Sequence, residues 1–249
     1  MRDNLVALRR TLATKSRRRL VRLRLLALGA IPVRWRRAVV GRLPRRLVPK
    51  EMIAYDPEYF AALYGSAVDP FGFDRNSEEV LKFQRTLELC GNGPIGRALE
   101  IGCSEGAFTA LLASRCESLL AVDISHIAIE RARARFRELA HVECEVRVLP
   151  AEFPDGPFDL IVASDVLYYW PIADVVSNLP RIEDALVPGG VLVALHYVPR
   201  MGTLINGDEV HDALVRYTGL EQVESERLEF GAGRPYRIDR FVRPPANVS

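Results

Sequence analysis

The sequence predicts an α/β fold: a seven-stranded, mostly parallel sheet with helices on both faces, closed by a C-terminal antiparallel hairpin and preceded by a basic, helical N-terminal extension. Three observations carry that prediction. Between residues 97 and 195 short apolar runs alternate with segments of helical periodicity, the pattern of strand–helix–strand units. The runs "DLIVA" and "VLVAL" are apolar throughout, as strands covered on both faces are. Two late strand-like runs flank Gly231 and Gly233, residues suited to a hairpin turn.

The chain divides into residues 1–54, 55–243 and a tail at 244–249. In the first part, Leu5, Leu8, Leu12, Leu20, Leu23 and Leu26 stand between arginines, mostly three or four apart, which predicts a basic amphipathic helix. From Tyr55 the composition becomes aromatic and turn-rich. Ser77–Cys90 reads as a helix capped by Ser77, with acids in its first turn and "GNGP" after it. Strands are then expected at Arg97–Ile101, Ser118–Val122, Glu143–Val148, Phe158–Ala163 and Val191–Leu195. The helices between them are Ala107–Cys116, Ile127–Leu139 and Ile172–Leu186, the last ended by "PGG". A short helix at Glu209–Tyr217 and strands at Glu221–Leu228 and Tyr236–Val242 complete the domain.

Composition is that of a globular protein, 49% apolar and 27% charged. The net charge of +2 conceals an asymmetry: residues 1–50 hold 16 Lys and Arg against Asp3 alone, a net of +15, and the rest carries −13. Two readings stand for the basic arm, a solvated or poorly ordered face and a surface that meets acidic lipid or nucleic acid. No aromatic precedes Trp35, which weakens single-strand binding by stacking. The longest apolar run near the start, Leu25–Val33, is too short to span a bilayer. The long basic region and Arg34, Arg36 and Arg37 argue against a signal peptide. Cys90, Cys103, Cys116 and Cys144 form no C-x-x-C pair and have no His cluster beside them, so neither a disulfide framework nor a metal site is expected. The expected location is the reducing cytoplasm, with a membrane-peripheral contact through residues 1–50 as the alternative.

The chemistry centres on "LEIGCSEGAF". Counting from Gly102, a dinucleotide fingerprint needs glycines at 104 and 107, where Ser104 and Ala107 stand; no Lys-Ser or Lys-Thr follows for a phosphate loop. Glu100 precedes the turn and Glu105 lies within it, which disfavours a polyanion and favours a ligand with cationic groups. S-adenosylmethionine carries a sulfonium and an ammonium and no phosphate. Asp123 closes "LLAVD", 21 residues after Gly102, where an acid can accept from both hydroxyls of a ribose. The plainer role for Asp123 is a helix cap.

"ALEIGCSEGAFTALLA", "AVDIS", "FDLIVASDVLYYW", "LVPGGVLVALHYV" and "GDEVH" together resemble class I S-adenosylmethionine-dependent methyltransferases with their Rossmann-like sheet. With "DPFGF", "KFQRTL" and "YRIDRF", the chain from about Tyr55 to Arg243 resembles, more narrowly, the rhizobial nodulation protein S family. The resemblance implies a cofactor site at Glu100, Gly102, Cys103, Ser104 and Gly106 for the methionine part, Asp123 for the ribose, and Ile124 on the adenine, where core packing is the competing role. It implies an adenine contact from the Ala151 backbone or Glu152. Here the chain departs from the many relatives with an acid first in that loop, because Pro150 stands there. Ser164 and Asp165 fall near the sulfonium, and Tyr168 and Tyr169 near the acceptor, with packing as the alternative for Tyr168. Asp165, Tyr169 and His196 are the catalytic candidates. Asp208 is expected to cap the helix that carries Glu209 and His211.

Methyl transfer needs a neutral acceptor aligned within roughly 3–3.5 Å of the methyl carbon. An amine must first lose a proton, for which Asp165 or His196 is a candidate; a hydroxyl needs the stronger base, His196. The family resemblance implies N-methylation of a sugar amine on a deacetylated chitooligosaccharide, a small-molecule or glycan acceptor. The alternatives are O-methylation of a sugar or other metabolite, a fold retained for binding without turnover, and a nucleic-acid methyltransferase. The last lacks an N/D-P-P-Y motif, having "SDVLYY" in that place.

Overall fold

The structure, a computed structural model, describes residues 55–170, 172–199, 203, 205–231 and 233–245. The helix expected in the basic segment lies outside these residues. The described elements are α1 (Pro57–Ser66), α2 (Ser77–Leu89), β1 (Ile95–Ile101), α3 (Ala107–Ala113), β2 (Cys116–Asp123), α4 (His126–Phe136), β3 (Val142–Val146), β4 (Phe158–Ser164), α5 (Ile172–Asp184), β5 (Leu186–Tyr197), α6 (Gly207–Tyr217), β6 (Glu221–Phe230) and β7 (Arg234–Val242). A short 3₁₀ turn, Leu167–Tyr169, follows β4.

The sheet order is β3-β2-β1-β4-β5-β7-β6. β1 to β5 run parallel, and β7 lies antiparallel between β5 and β6. This is the architecture the alternating runs predict. Each central strand sends alternate residues to opposite cores. Leu99, Ile101, Ile161, Ala163, Leu192 and Ala194 meet Val175, Leu179 and Ile182 of α5 and Val210, Ala213 and Leu214 of α6. Ala98, Leu160, Val162, Val193 and Leu195 face the other way, onto Phe83 of α2 and Phe108 and Leu112 of α3. Burial on both faces is why these strands carry no polar alternation.

Three local expectations are corrected. The cap of α2 is Asn76, whose side chain accepts from the Glu78 N–H, and Ser77 is the first helical residue. α6 is capped by Asn206 in a reciprocal box with Glu209, and Asp208 instead pairs with Arg227. "PGG" does not end a helix. α5 stops at Asp184, and Gly189, at φ +82°, is a kink inside β5 where the pairing with β4 slips. The Gly189 N–H bonds the Arg243 carbonyl and the Arg243 N–H bonds Gly190, so strand pairing takes over the turn signal.

Candidate active site

The carboxyl ends of the parallel strands open into a cavity of about 520 Å³. Ile101, Asp123, Ser164 and Tyr197, at the tips of β1, β2, β4 and β5, all line it. α1 covers one side: Phe60 and Tyr64 pack on Ala128 of α4 and against Ile124 and Tyr169. The Tyr64 hydroxyl donates to Ser104 Oγ at 2.7 Å, tying this cover to the glycine turn.

The turn owes its glycines to conformation and packing. Gly102 sits at φ +78°, and a Cβ there would lie 2.7 Å from a methyl of Val166. Gly106 sits at φ +86° as the cap of α3, and a Cβ there would collide with the Phe136 ring. Non-glycine Ser104 and Asp165 also hold positive φ, at 54° and 52°, both on the cavity wall. Such strain collects at ligand sites, and Asp tolerates this region better than most side chains.

Asp123 is nearly buried at the cavity wall. Its Oδ2 accepts from the Ser104 N–H at 3.0 Å and its Oδ1 from the Ser125 N–H at 2.8 Å. Burial pushes its carboxyl up to about 6, against the pull of these backbone donors, so it is ionised at neutral pH. With Ser104, Ser125 and Ile124 as backbone donors to its four acceptor sites, the carboxylate keeps capacity for a further donor. The cap of α4 is Ser125, so the plainer role for Asp123 falls to its neighbour.

Gly102, Ser104, Asp123, Ile124, Ser164, Asp165, Tyr168 and Tyr169 line the cavity; Glu100, Cys103, Gly106, Ala151, Glu152 and His196 do not. Glu100 lies behind the turn, bonded by the Thr109 hydroxyl at 2.6 Å, and burial pushes its carboxyl up to about 8. Glu105 turns outward to accept from the Asp69 N–H and to pair with Arg131. The two acids that argue against a phosphate ligand therefore do not face it. Glu79, Asp123, Asp165, Asp174 and Asp56 do line the cavity, against Lys82, Arg147 and Arg234 among the described residues, and the sign of the argument survives on different residues. Glu152 folds back on the Val148 N–H at 2.7 Å, and Val148, Leu149 and Pro150 take the wall where Ala151 and Glu152 were expected.

His196 requires a larger correction. It is fully buried, and both ring nitrogens are spent. The Leu167 N–H donates to its Nε2 at 3.2 Å, and its Nδ1 lies 3.1 Å from His211 Nε2. His211 Nδ1 in turn faces Asp239 Oδ2 at 2.8 Å. A backbone N–H can only donate, so the tautomers follow from the partners: each imidazole carries its proton on Nδ1 and the chain runs toward Asp239. Burial, and for His196 the neighbouring His211, hold both rings neutral. His196 therefore fixes the backbone of the turn after β4 and lies outside the cavity lining.

Lys82 and Glu79 of α2 are site residues the motif reading missed. Lys82 Nζ donates to Asp165 Oδ2 at 2.8 Å, across 83 residues of sequence. Asp165 Oδ1 accepts from the Tyr168 hydroxyl and the Tyr197 N–H, each at 2.9 Å. Burial opposes the charge on both partners, yet Asp165 and Glu79 raise Lys82 and Lys82 holds Asp165 below the usual carboxylate range. The rings of Phe73, Phe83 and Tyr236 surround the ammonium at 5.3–5.5 Å. One signal was available: the buried stripe of α2 is Glu79, Lys82, Phe83, Thr86 and Leu89, so two charges occupy the apolar face of an amphipathic helix.

The sheet order, the glycine turn and the acid at the tip of β2 define the class I fold of S-adenosylmethionine-dependent methyltransferases. The family profile of nodulation protein S matches residues 64–194, and the chain belongs to that family. It is 41% identical over 130 residues to nodulation protein S of Rhizobium tropici, covering 51% of this chain and 55% of the relative. The protein of that name from Sinorhizobium fredii is 36% identical over 130 residues, covering 51% and 60%. The chain thus spans somewhat more than half the length of these curated relatives. The N-methyltransferase NodS of Bradyrhizobium japonicum, solved with S-adenosyl-L-homocysteine, superposes with a TM-score of 0.70 at 27% identity, over 76% of this chain and 98% of that one.

Proposed function

We propose that the protein transfers a methyl group from S-adenosylmethionine to the free amine of an amino sugar or deacetylated oligosaccharide. The observation that carries this is one continuous cavity with two unlike ends, a ribose-type acid at the tip of β2 and an acid-lined aromatic chamber below the tips of β4 and β5. The first end suits the cofactor. Asp123 has acceptor capacity left for a ribose diol, Ile124 and Leu149 offer apolar flats for a purine, and Arg131, beside the glycine turn, is paired with Glu105 and does not line the cavity. When bound, S-adenosylmethionine supplies an electrophilic methyl group on a sulfonium.

The second end suits a cationic, ring-shaped acceptor. Tyr168, Tyr197 and Tyr236 line the cavity beside Asp165 and Lys82 and offer aromatic surface to the apolar side of a sugar. The burial of His196 outside the cavity removes the base that hydroxyl methylation called for. The name of the Bradyrhizobium neighbour, an N-methyltransferase, points the same way. Ser104 and Asp165, on strained backbone, position the turn and the chamber floor. Labelled methyl uptake onto glucosamine, its oligomers and neutral sugars tests the reading. Uptake by the amino sugars alone is expected; transfer only to hydroxyl acceptors would overturn it.

A further inference from the structure

We propose that Glu79 of α2 receives the acceptor's ammonium group and takes its proton before methyl transfer. The inference rests on the amine reading above and identifies the base within it.

The three candidates read from motifs are each unsuited to taking a proton in this structure. Asp165 accepts three hydrogen bonds from donors held in place by the fold: Lys82, the Tyr168 hydroxyl and the Tyr197 backbone N–H. His196 is outside the cavity with both nitrogens engaged. Tyr169 is a phenol that burial keeps protonated.

Glu79 shares Lys82 with Asp165 and keeps an oxygen for a further donor. It lines the cavity and is only 5% exposed. Its Oε2 is sealed from solvent in an ion pair with Lys82 Nζ at 2.5 Å, which leaves Oε1 as the oxygen that can meet a ligand in the cavity. A carboxylate accepts more than one donor, and an ammonium brings three N–H groups. Helical spacing of three puts Glu79 and Lys82 on one face, so Lys82 spans two carboxylates and the trio carries a net −1. Arg234 of β7, the next cation, is paired with Glu78 at the rim. The charged and titratable groups around Glu79 are therefore Lys82 on its own helix, Asp165 from the turn after β4, and Tyr236 and Arg234 from β7. This chamber attracts a cation and repels a carboxylate or phosphate acceptor.

The step balances as follows. One N–H proton passes from the ammonium to a Glu79 carboxylate oxygen, leaving the nitrogen lone pair free. That pair forms the new N–C bond; the bond that breaks is the methyl's bond to sulfur, whose electron pair stays on sulfur. The product is a methylammonium ion beside a protonated Glu79, which returns its proton to water.

The test uses the full chain, S-adenosylmethionine and a β-1,4-linked glucosamine disaccharide, with cellobiose as the analogue bearing hydroxyls in place of the amines. Glu79→Gln is expected to lower kcat about 10²–10⁴-fold at pH 7, with the loss shrinking as pH rises toward the amine's own pKa. Its affinity for S-adenosyl-L-homocysteine by calorimetry stays within about twofold of the parent, which also shows that it is folded. Independently of turnover, the parent loaded with S-adenosyl-L-homocysteine binds the glucosamine disaccharide more tightly than cellobiose, and Glu79→Gln loses that preference. Glu79→Asp, which keeps the charge one methylene back, restores part of both. A variant that keeps the parental pH profile and the full amine preference overturns the role of Glu79 while leaving amine methylation standing. A parent that methylates cellobiose and not the glucosamine disaccharide overturns the amine reading itself.

Discussion

The two ends of the cavity are built in opposite ways. At the cofactor end, Gly102, Ser104 and Asp123 sit within one strand–helix–strand unit, and the Ser104 N–H bonds a carboxylate 19 residues away. At the acceptor end, Lys82 reaches Asp165 across 83 residues, and Tyr236 arrives from β7 because Tyr197 pairs with it across the sheet. The first end is local, so its spacing is readable as a motif. The second depends on three remote segments converging on one sheet edge, and its key charges look like ordinary helix-surface residues in the sequence.

If the ends are independent, breaking one should spare the other. The largest effect expected is from Lys82→Met, which leaves Asp165 and Glu79 as like charges without their buried cation. A destabilisation of about 3–5 kcal/mol, or a fall in Tm of roughly 10 °C, should appear by calorimetry. Affinity for S-adenosyl-L-homocysteine in the surviving folded protein should hold; a collapse of that affinity would join the two ends into one unit. Next in size is Gly106→Ala, costing about 3 kcal/mol from the forbidden φ and the Phe136 ring together. Adding Phe136→Leu should recover the clash and leave the φ cost, and full recovery would show that backbone strain at Gly106 is negligible.

At the cofactor end, Asp123→Ala should weaken S-adenosyl-L-homocysteine binding about 10–100-fold by titration calorimetry. Unchanged affinity would sink the ribose assignment. The buried His196–His211 pair predicts a pH effect on stability. Both rings have folded pKa values depressed below the unfolded value of about 6.5, so the unfolded chain binds more protons below that pH. Their stabilisation is present above about pH 6.5 and is lost as pH falls, before the lowered carboxyls of Asp165 and Asp239 contribute at more acidic pH. The raised carboxyls of Glu100 and Asp123 act with the opposite sign over this range, so the test is a difference: the Tm of His211→Gln relative to the parent should rise as pH falls from 7.5 to 5. The smallest effect belongs to Glu152→Ala: with its carboxylate folded onto the Val148 N–H, cofactor affinity should change by less than about 0.5 kcal/mol. A larger loss would return Glu152 to the adenine site.

The strands, their burial on both faces, the hairpin and the acid at the tip of β2 were legible because each is written in local periodicity or short spacing. Boundaries were less so. "PGG" reads as a helix stop until Gly189 and Arg243 pair across strands, and Asp208 reads as a cap until Asn206, two residues earlier, closes the box with Glu209. His196 shows the limit most clearly. A histidine at a strand tip beside a ligand pocket has the sequence signature of a base, and only the fold reveals that His211 and Leu167 occupy its two nitrogens.

The sequence by itself determined the fold class, the position of the glycine turn and the acid that follows it, since these depend on residues close along the chain. Tertiary structure alone decided which carboxylates face the cavity. Glu100 and Glu105 turn away, whereas Glu79 and Asp165 converge on Lys82. The direction a side chain faces is set by the surface it packs against, and that surface comes from distant parts of the chain.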